Sequence, residues 1–300
     1  MNRKSLNRKN RGTPLTGFLF IVPFFLLYTV FTIWPMIQGF YVSLHKWGLM
    51  GKIKFLGLDN YQKFLGDKNF WNALGNTVEF VMITTPLLVV IALILALLAN
   101  RPTRLKKGLR VIYYLPSILS ISVASFIAKF TFSPYTGLIS GTLHATGLLS
   151  PSAEIQFLQS KSLVWGVISS MTVWWTVGFS MMLYIAALQD ISPEIYEASS
   201  IDGASKTQQL FRIVLPSLKP TIWLVFMLQM IACFKVFGQI YMITGGGPAG
   251  STKSLIQYVY ENAFEKNNMG YASAMSYVLF GILLVLSAGL MLLQKRKGEE

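Results

Sequence analysis

The chain has 300 residues, of which 53% are hydrophobic and only 13% charged, with a mean hydropathy of +0.51 and a formal net charge of +14. Soluble globular chains carry about 25% charged residues, so this composition excludes an ordinary soluble domain and selects a membrane protein. The positive balance does not select nucleic acid as a partner, because the basic residues cluster just outside apolar runs, where they act as orientation signals beside membrane lipid.

Met1–Arg11 carries Arg3, Lys4, Arg8, Lys9 and Arg11 ahead of an apolar run at 17–40. A cleavable signal peptide would have an apolar core of about 7–15 residues and a small-residue exit. This run is longer and lacks such an exit, so it reads as an uncleaved first span. Further apolar runs at 74–99, 109–132, 163–188, 221–243 and 271–293 are each long enough to cross a hydrocarbon core of about 30 Å at about 1.5 Å per residue. The expectation is an all-α integral membrane protein with six transmembrane helices in a single domain, 1–300. The segments at 41–73, 133–162 and 244–270 are long enough to build a surface on one side. No internal repeat is visible, which weighs mildly against a secondary transporter built from inverted repeats. The single cysteine, Cys233, excludes an internal disulfide and reads as packing inside a span.

With the N-terminus inside, the inner set of cations is Arg3 to Arg11, then Arg101, Arg104, Lys106, Lys107 and Arg110, then Lys206, Arg212 and Lys219, then Lys295, Arg296 and Lys297. The outer set is half as large: Lys46, Lys52, Lys54, Lys63, Lys68, Lys161, Lys253 and Lys266. The positive-inside rule therefore places both termini and the loop at 190–220 in the cytoplasm.

That loop is the chain's most informative stretch. Ser192-Pro193-Glu194 is a helix start, with Ser as cap, Pro at the first helical position and acids in the first turn. Gly203 permits a turn, a second short helix follows from Ala204, and Pro216 and Pro220 punctuate the start of the next apolar run. The expected object is a helix–Gly–helix element outside the lipid, tethered at both ends to membrane helices.

Glu197-Ala198, then Gly203, then Ile213-Val214-Leu215-Pro216 resemble the Glu-Ala-Ala loop of bacterial ABC importer permeases, with Ser199 standing where that family usually has a second Ala. Ile243-Thr244-Gly245-Gly246-Gly247-Pro248 resembles the Thr-Gly-Gly-Gly-Pro loop of its carbohydrate-uptake branch, in the lineage of the maltose and glycerol-phosphate permeases. The layout agrees from Gly17 onward, but only these two stretches are sharp. The resemblance implies an ABC importer permease fold in a bacterial inner membrane. It also implies a second homologous permease, two ATPase subunits that bind the ATP and Mg, and an extracellular solute-binding protein. Glu197 would then meet a basic group in a groove of the ATPase, Ala198 and Ser199 would allow close approach, and Asp202 and Gly203 would form the turn. Ile213, Leu215 and Pro216 would hold the loop against the membrane helices. Gly245, Gly246, Gly247 and Pro248 would lie beneath the docked binding protein. Carbohydrate uptake is the substrate class implied, with glycerol phosphate or a related anion as the alternative.

Other motifs weigh less. Gly245 to Ser254 is superficially like a phosphate loop, but Ser251 and Thr252 intervene where Gly-Lys-Ser/Thr must follow directly, and no strand precedes it. ATP hydrolysis is thus expected on a separate chain and none here. An ion-coupled secondary transporter is the rival from another class. A membrane enzyme would need a polar catalytic cluster, which the scattered acids and the isolated His45 and His144 do not form. Lys235 in the fifth span, with Gln239 at i+4 on the same helical face, is a candidate lining of the substrate path. Snorkelling or an interhelical hydrogen bond explains the same residues equally well. Trp174 and Thr176 in the fourth span are further path candidates, against the simpler reading as helix-packing contacts.

Overall fold

A computed structural model describes residues 14–101, 106–134, 136–150 and 153–296. The basic stretch Met1–Arg11, Arg104 and Lys297 lie outside the described residues. The chain divides into two compact units, one formed by the chain up to Leu65 with Asn262–Tyr277, the other by Gly66–Glu261 and the chain from Val278.

The first unit begins with α1 (Pro14–Tyr28), an i→i+5 turn at Thr29–Ile33 and α2 (Trp34–Ser43). Together these make one apolar span, Phe18–Ser43, whose most apolar stretch buries no residue inside the chain. Next comes an element that the all-α expectation did not include. β1 (His45–Gly48) pairs antiparallel with β2 (Gly51–Phe55), and Gly51 turns the hairpin at φ +108°. The hairpin is anchored from α3 (Asp59–Leu65), where the buried Asn60 amide donates to the carbonyls of Ser43 at 2.8 Å and His45 at 3.0 Å.

The second unit opens with α4 (Lys68–Ala99), capped by Asp67, whose carboxylate accepts from the backbone of Asn69 at 3.0 Å. This helix starts six residues before the expected span because the cap and the polar first turns are local signals independent of hydropathy. α5 (Lys106–Tyr114), a 3₁₀ turn at Leu115–Ile118 and α6 (Ile121–Thr131) occupy the expected third span, but they bend by 100° at the break. Leu119 and Ser120 are extended there, and Ser120 caps α6 through Val123 N–H at 3.3 Å. The Trp175 indole donates to the freed Leu119 carbonyl at 3.0 Å, so the interruption leaves that backbone group satisfied.

α7 (Leu138–Ala145) and α8 (Val164–Gln189) follow, then the polar loop elements α9 (Pro193–Ile201) and α10 (Lys206–Gln209). An i→i+5 turn at Leu210–Val214 leads into α11 (Leu215–Phe234), and α12 (Gly238–Ile243) and α13 (Leu255–Tyr260) come next. The last span is α14 (Met269–Arg296). Among the described residues, five helices are long and apolar enough to cross a membrane, six if the bent α5–α6 pair is counted as one span.

α4, α8 and α11 pack on one another around a shared core. Leu88, Ala92 and Ala96 form an i, i+4 stripe on α4 against Val173, Val177, Met181 and Ile185 of α8 and Val225 of α11. Without a hydrophobic drive between helices in lipid, such contact relies on close approach, which alanines permit. Gly178 lets α8 approach α5 as closely: a Cβ there would lie 2.5 Å from the Tyr113 carbonyl oxygen and 2.7 Å from Tyr114 Cα.

Candidate functional site

The loop at 191–220 is built by three local devices. Ser192 caps α9, accepting from Glu194 N–H at 3.3 Å, with Pro193 at the first turn where its missing N–H costs nothing. Gly203 ends α9 at φ +78°, a left-handed conformation that a β-carbon disfavours, while Ala204 N–H closes on the Ser199 carbonyl at 2.9 Å. Ser205 and Gln208 then form a reciprocal capping box, with bonds of 3.2 and 2.8 Å, that starts α10. The i→i+5 turn ahead of α11 widens the backbone just before Pro216, which lacks an N–H and crowds the preceding turn.

One side chain fastens the two short helices together. Gln209 is 4% exposed, and its amide donates to the hydroxyls of Ser199 and Ser200, each at 2.9 Å. Both hydroxyls in turn donate to the Tyr196 carbonyl, at 2.9 and 2.7 Å. The serine standing in place of alanine at position 199 is thus part of a hydrogen-bonded clasp as well as a small packing residue.

The inner side of the loop rests on the helix core. Tyr196 and Leu210 pack against the cluster that contains Ala96, Ala99, Leu188, Val214 and Leu218. Partial burial pushes the Tyr196 phenol above its ordinary range, so it stays a neutral packing group. Anchoring falls to Val214 and Leu218, which are buried, while Ile213 and Leu215 are half-buried and Pro216 is exposed. The outer side presents Glu197, Ala198, Asp202 and Gly203, all exposed, with Ser199 half-buried behind them. Ile201, one turn beyond Glu197, is 86% exposed. A rigid polar element thus carries an acid and a large apolar side chain on its free face and sits on the helix core by its other face.

The glycine-rich loop after α12 is held as firmly. Gly245, Gly246 and Gly250 take positive φ values of 63°, 90° and 77°. Asn76 of α4 donates to the Gly250 and Lys253 carbonyls at 3.0 and 3.1 Å, and Gln257 to the Gly245 carbonyl at 2.9 Å. Lys253 pairs with Glu261 at 2.8 Å. Gly247 and Pro248 are half-buried, and the amides of Gly245, Gly246, Gly247 and Thr252 already donate within the loop and the end of α12, to Ile240, Thr244 and Gly246.

The path candidates do not converge. Lys235 caps the end of α11 and Phe237 breaks the helix at φ −145°, ψ −66°, so Lys235 and Gln239 do not share a helical face. The reason is tertiary: a Cβ on Gly238 would meet Ile121 Cδ1 at 2.5 Å, so α12 steps aside to pack closely on α6. Lys235 is exposed and Gln239 buried. Thr176 bonds back to the Thr172 carbonyl at 2.7 Å, which satisfies its hydroxyl within α8, whereas Trp174 is 41% exposed and lines two apolar grooves. Two buried polar pairs lie inside the helix core, Gln229 with Ser180 and Thr84 with Ser169, each at 2.8 Å. Gln229, a polar side chain in the middle of the apolar run at 221–243, was the available signal for the first.

Apolar helices enough to cross a membrane five or six times, with a rigid polar loop seated on the α4–α8–α11 core, define a multi-spanning membrane protein. The chain belongs to the family described as the binding-protein-dependent transport system inner membrane component, which matches residues 88–297. It is 34% identical over 292 residues to the lactose transport system permease protein of Rhizobium radiobacter, covering 96% of each chain. It is 31% identical over 273 residues to the sn-glycerol-3-phosphate transport system permease protein of Agrobacterium fabrum, covering 90% of this chain and 92% of that one. Its fold matches a chain of the bacterial alginate ABC transporter, solved with an alginate pentasaccharide-bound periplasmic protein, at a TM-score of 0.83 and 23% identity over 94% of each chain. The protein is therefore a transport protein, an inner membrane component of a binding-protein-dependent system.

Proposed function

We propose that this chain is the permease subunit of an ATP-driven ABC importer that moves a sugar, most simply an oligosaccharide, handed over by an extracellular solute-binding protein. It works with a second homologous permease and two ATPase subunits, which bind the ATP and Mg. The termini and the loop at 191–220 face the cytoplasm, and the Gly245–Pro248 loop faces the binding protein. The observation that carries the reading is the clasped α9–α10 element, with Glu197 and Ile201 on its free face and Tyr196, Leu210 and Val214 on the helix core.

The coupling follows from that geometry. Glu197 offers a carboxylate to a basic group in the ATPase groove, where a charge-assisted hydrogen bond is roughly twice as strong as a neutral one. Because Gln209 ties α9 to α10, a displacement of α9 by the ATPase carries α10 and the start of α11 with it. The packing of Tyr196, Leu210 and Val214 passes that displacement to α4 and α8. ATP binding closes the ATPases and opens the path toward the binding protein, and hydrolysis resets it.

Glycerol phosphate or a related anion is the second reading, favoured by the exposed Lys235 at a helix break. A neutral sugar is preferred because the path candidates include no Arg, the residue best suited to bidentate phosphate recognition. The test is uptake by proteoliposomes holding the full complex. Uptake is expected to require ATP and binding protein, to survive collapse of ion gradients, and to be competed by neutral sugars. Uptake by this chain alone, driven by an ion gradient, would favour a secondary transporter and overturn the reading.

A further inference from the structure

The start of α5 and the groove above it carry a site of their own. Lys106, Arg110 and Tyr113 fall at i, i+4 and i+7, one stripe of α5. The two cations lie in the first turns of α5, which also carries Lys107, and Arg101 follows the end of α4. Arg110 is tied to the end of α4 by a bond from Nη2 to Asn100 Oδ1 at 3.3 Å, while its Nε–H is buried and has no hydrogen-bond partner among the described residues. A buried guanidinium N–H left unpaired is costly and calls for an acceptor.

Tyr113, the third residue of that stripe, forms a wall of an apolar groove of about 480 Å³ between α4, α5 and α8. Leu87, Ile91 and Leu95 line it from α4, one residue per turn, and Ser170, Val173, Trp174 and Val177 line it from α8. From Leu95 to Leu87 the groove runs about 12 Å at 1.5 Å per residue. One leaflet of hydrocarbon is about 15 Å deep, half of a 30 Å core.

We propose that this groove and its cationic mouth bind one anionic phospholipid, its phosphate on Arg110 and Lys106 and one acyl chain along Leu95, Ile91 and Leu87 toward Trp174. The two halves of the site match the two halves of that ligand: an anion at the membrane surface, where basic residues attract acidic headgroups, and a chain of leaflet depth. A second copy of a chain this basic, with 26 Lys and Arg against 12 Asp and Glu, is a poor source of counter-charge. A soluble phosphate would leave the groove unfilled.

The test uses the full complex in nanodiscs of phosphatidylcholine with a minor share of phosphatidylglycerol, extracted into detergent, with retained lipid read by native mass spectrometry. Wild type is expected to retain phosphatidylglycerol selectively. Arg110→Gln is expected to lower its retention about tenfold, the effect of one lost charge-assisted contact. Ile112→Trp, which fills the groove from an exposed wall position, is expected to do the same. Lys129→Gln at the far end of α6 leaves retention unchanged. No preference for phosphatidylglycerol in wild type overturns the proposal without reference to any variant. Equal retention in Arg110→Gln overturns it too. Loss in Arg110→Gln but not in Ile112→Trp reduces the site to an anion site and overturns the lipid. A cross-link from Ile112→Cys to the second permease assigns the groove to protein and likewise overturns it.

Discussion

Replacing Gln209 by Leu isolates the clasp of the polar loop from everything else in it. The side chain is buried, so Leu keeps most of the packing and removes only the amide. Across the turn, two hydrogen bonds of 2.9 Å are lost, to Ser199 and Ser200, with a marginal contact of 3.5 Å to the Tyr196 carbonyl, and within α10 the bond from Lys206 at 3.3 Å goes too. Neither hydroxyl is orphaned, because each still donates to the Tyr196 carbonyl. At about 0.5–1.5 kcal/mol per neutral bond, the closed clasp loses about 1–3 kcal/mol, which is about a 5- to 150-fold shift toward an α9 free of α10. Amide hydrogen exchange at 196–201 in the purified complex is the direct assay, since local opening sets its rate. Exchange there is expected to rise within that range while the α8 amides hold their protection, and sugar moved per ATP hydrolysed is expected to fall. Unchanged exchange at 196–201 would refute the view that Gln209 makes α9 and α10 one body.

Other variants probe the remaining parts. Glu197→Lys is expected to abolish transport and weaken co-purification of the ATPase with membrane insertion intact, and wild-type uptake would remove the role given to this acid. Gly203→Val is expected to uncouple the loop through backbone strain of about 1–3 kcal/mol at φ +78°, since a Cβ there meets nothing within 4 Å; an unchanged ratio of sugar to ATP would show the turn to be dispensable. Gly178→Val is expected to lower the thermal midpoint in detergent by overpacking worth about 1–3 kcal/mol, because the new Cβ meets Tyr113 backbone that cannot move cheaply; an unshifted midpoint would contradict the close approach of α5 to α8. Lys235→Gln is expected to leave neutral-sugar uptake nearly intact, whereas loss of uptake that only phosphorylated ligands compete for would favour an anionic substrate.

Much of the loop and most of the spans are legible in the sequence because their causes are local. Ser192-Pro193 and Gly203 act within four residues of themselves, so reading them in order places α9, the turn and a second short helix from Ala204, one residue before the Ser205 cap that starts α10. Spans at 163–188 and 271–293 follow from hydropathy alone. The break in the third span is tertiary, although Pro116 and Ser120 hint at it: an apolar run gives no sign that Trp175, 56 positions away, stands ready to satisfy the Leu119 carbonyl. The loss of the Lys235–Gln239 face has the same origin, in the contact of Gly238 with Ile121. Gln209 was overlooked because its partners lie nine and ten residues back, across the turn that Gly203 makes.

The central claim is that the free face of α9 docks on an ATPase and transmits its motion to the spans. Cross-linking tests it most directly, with Ala198→Cys in a Cys233→Ala background, the assembled complex and a short bifunctional reagent. The account predicts a cross-link from this position to the ATPase subunit that stops ATP-driven uptake, with uptake restored when a cleavable linker is cut. Labelling of Ala198→Cys only from the binding-protein side of the membrane, with no product joining it to the ATPase, would contradict it.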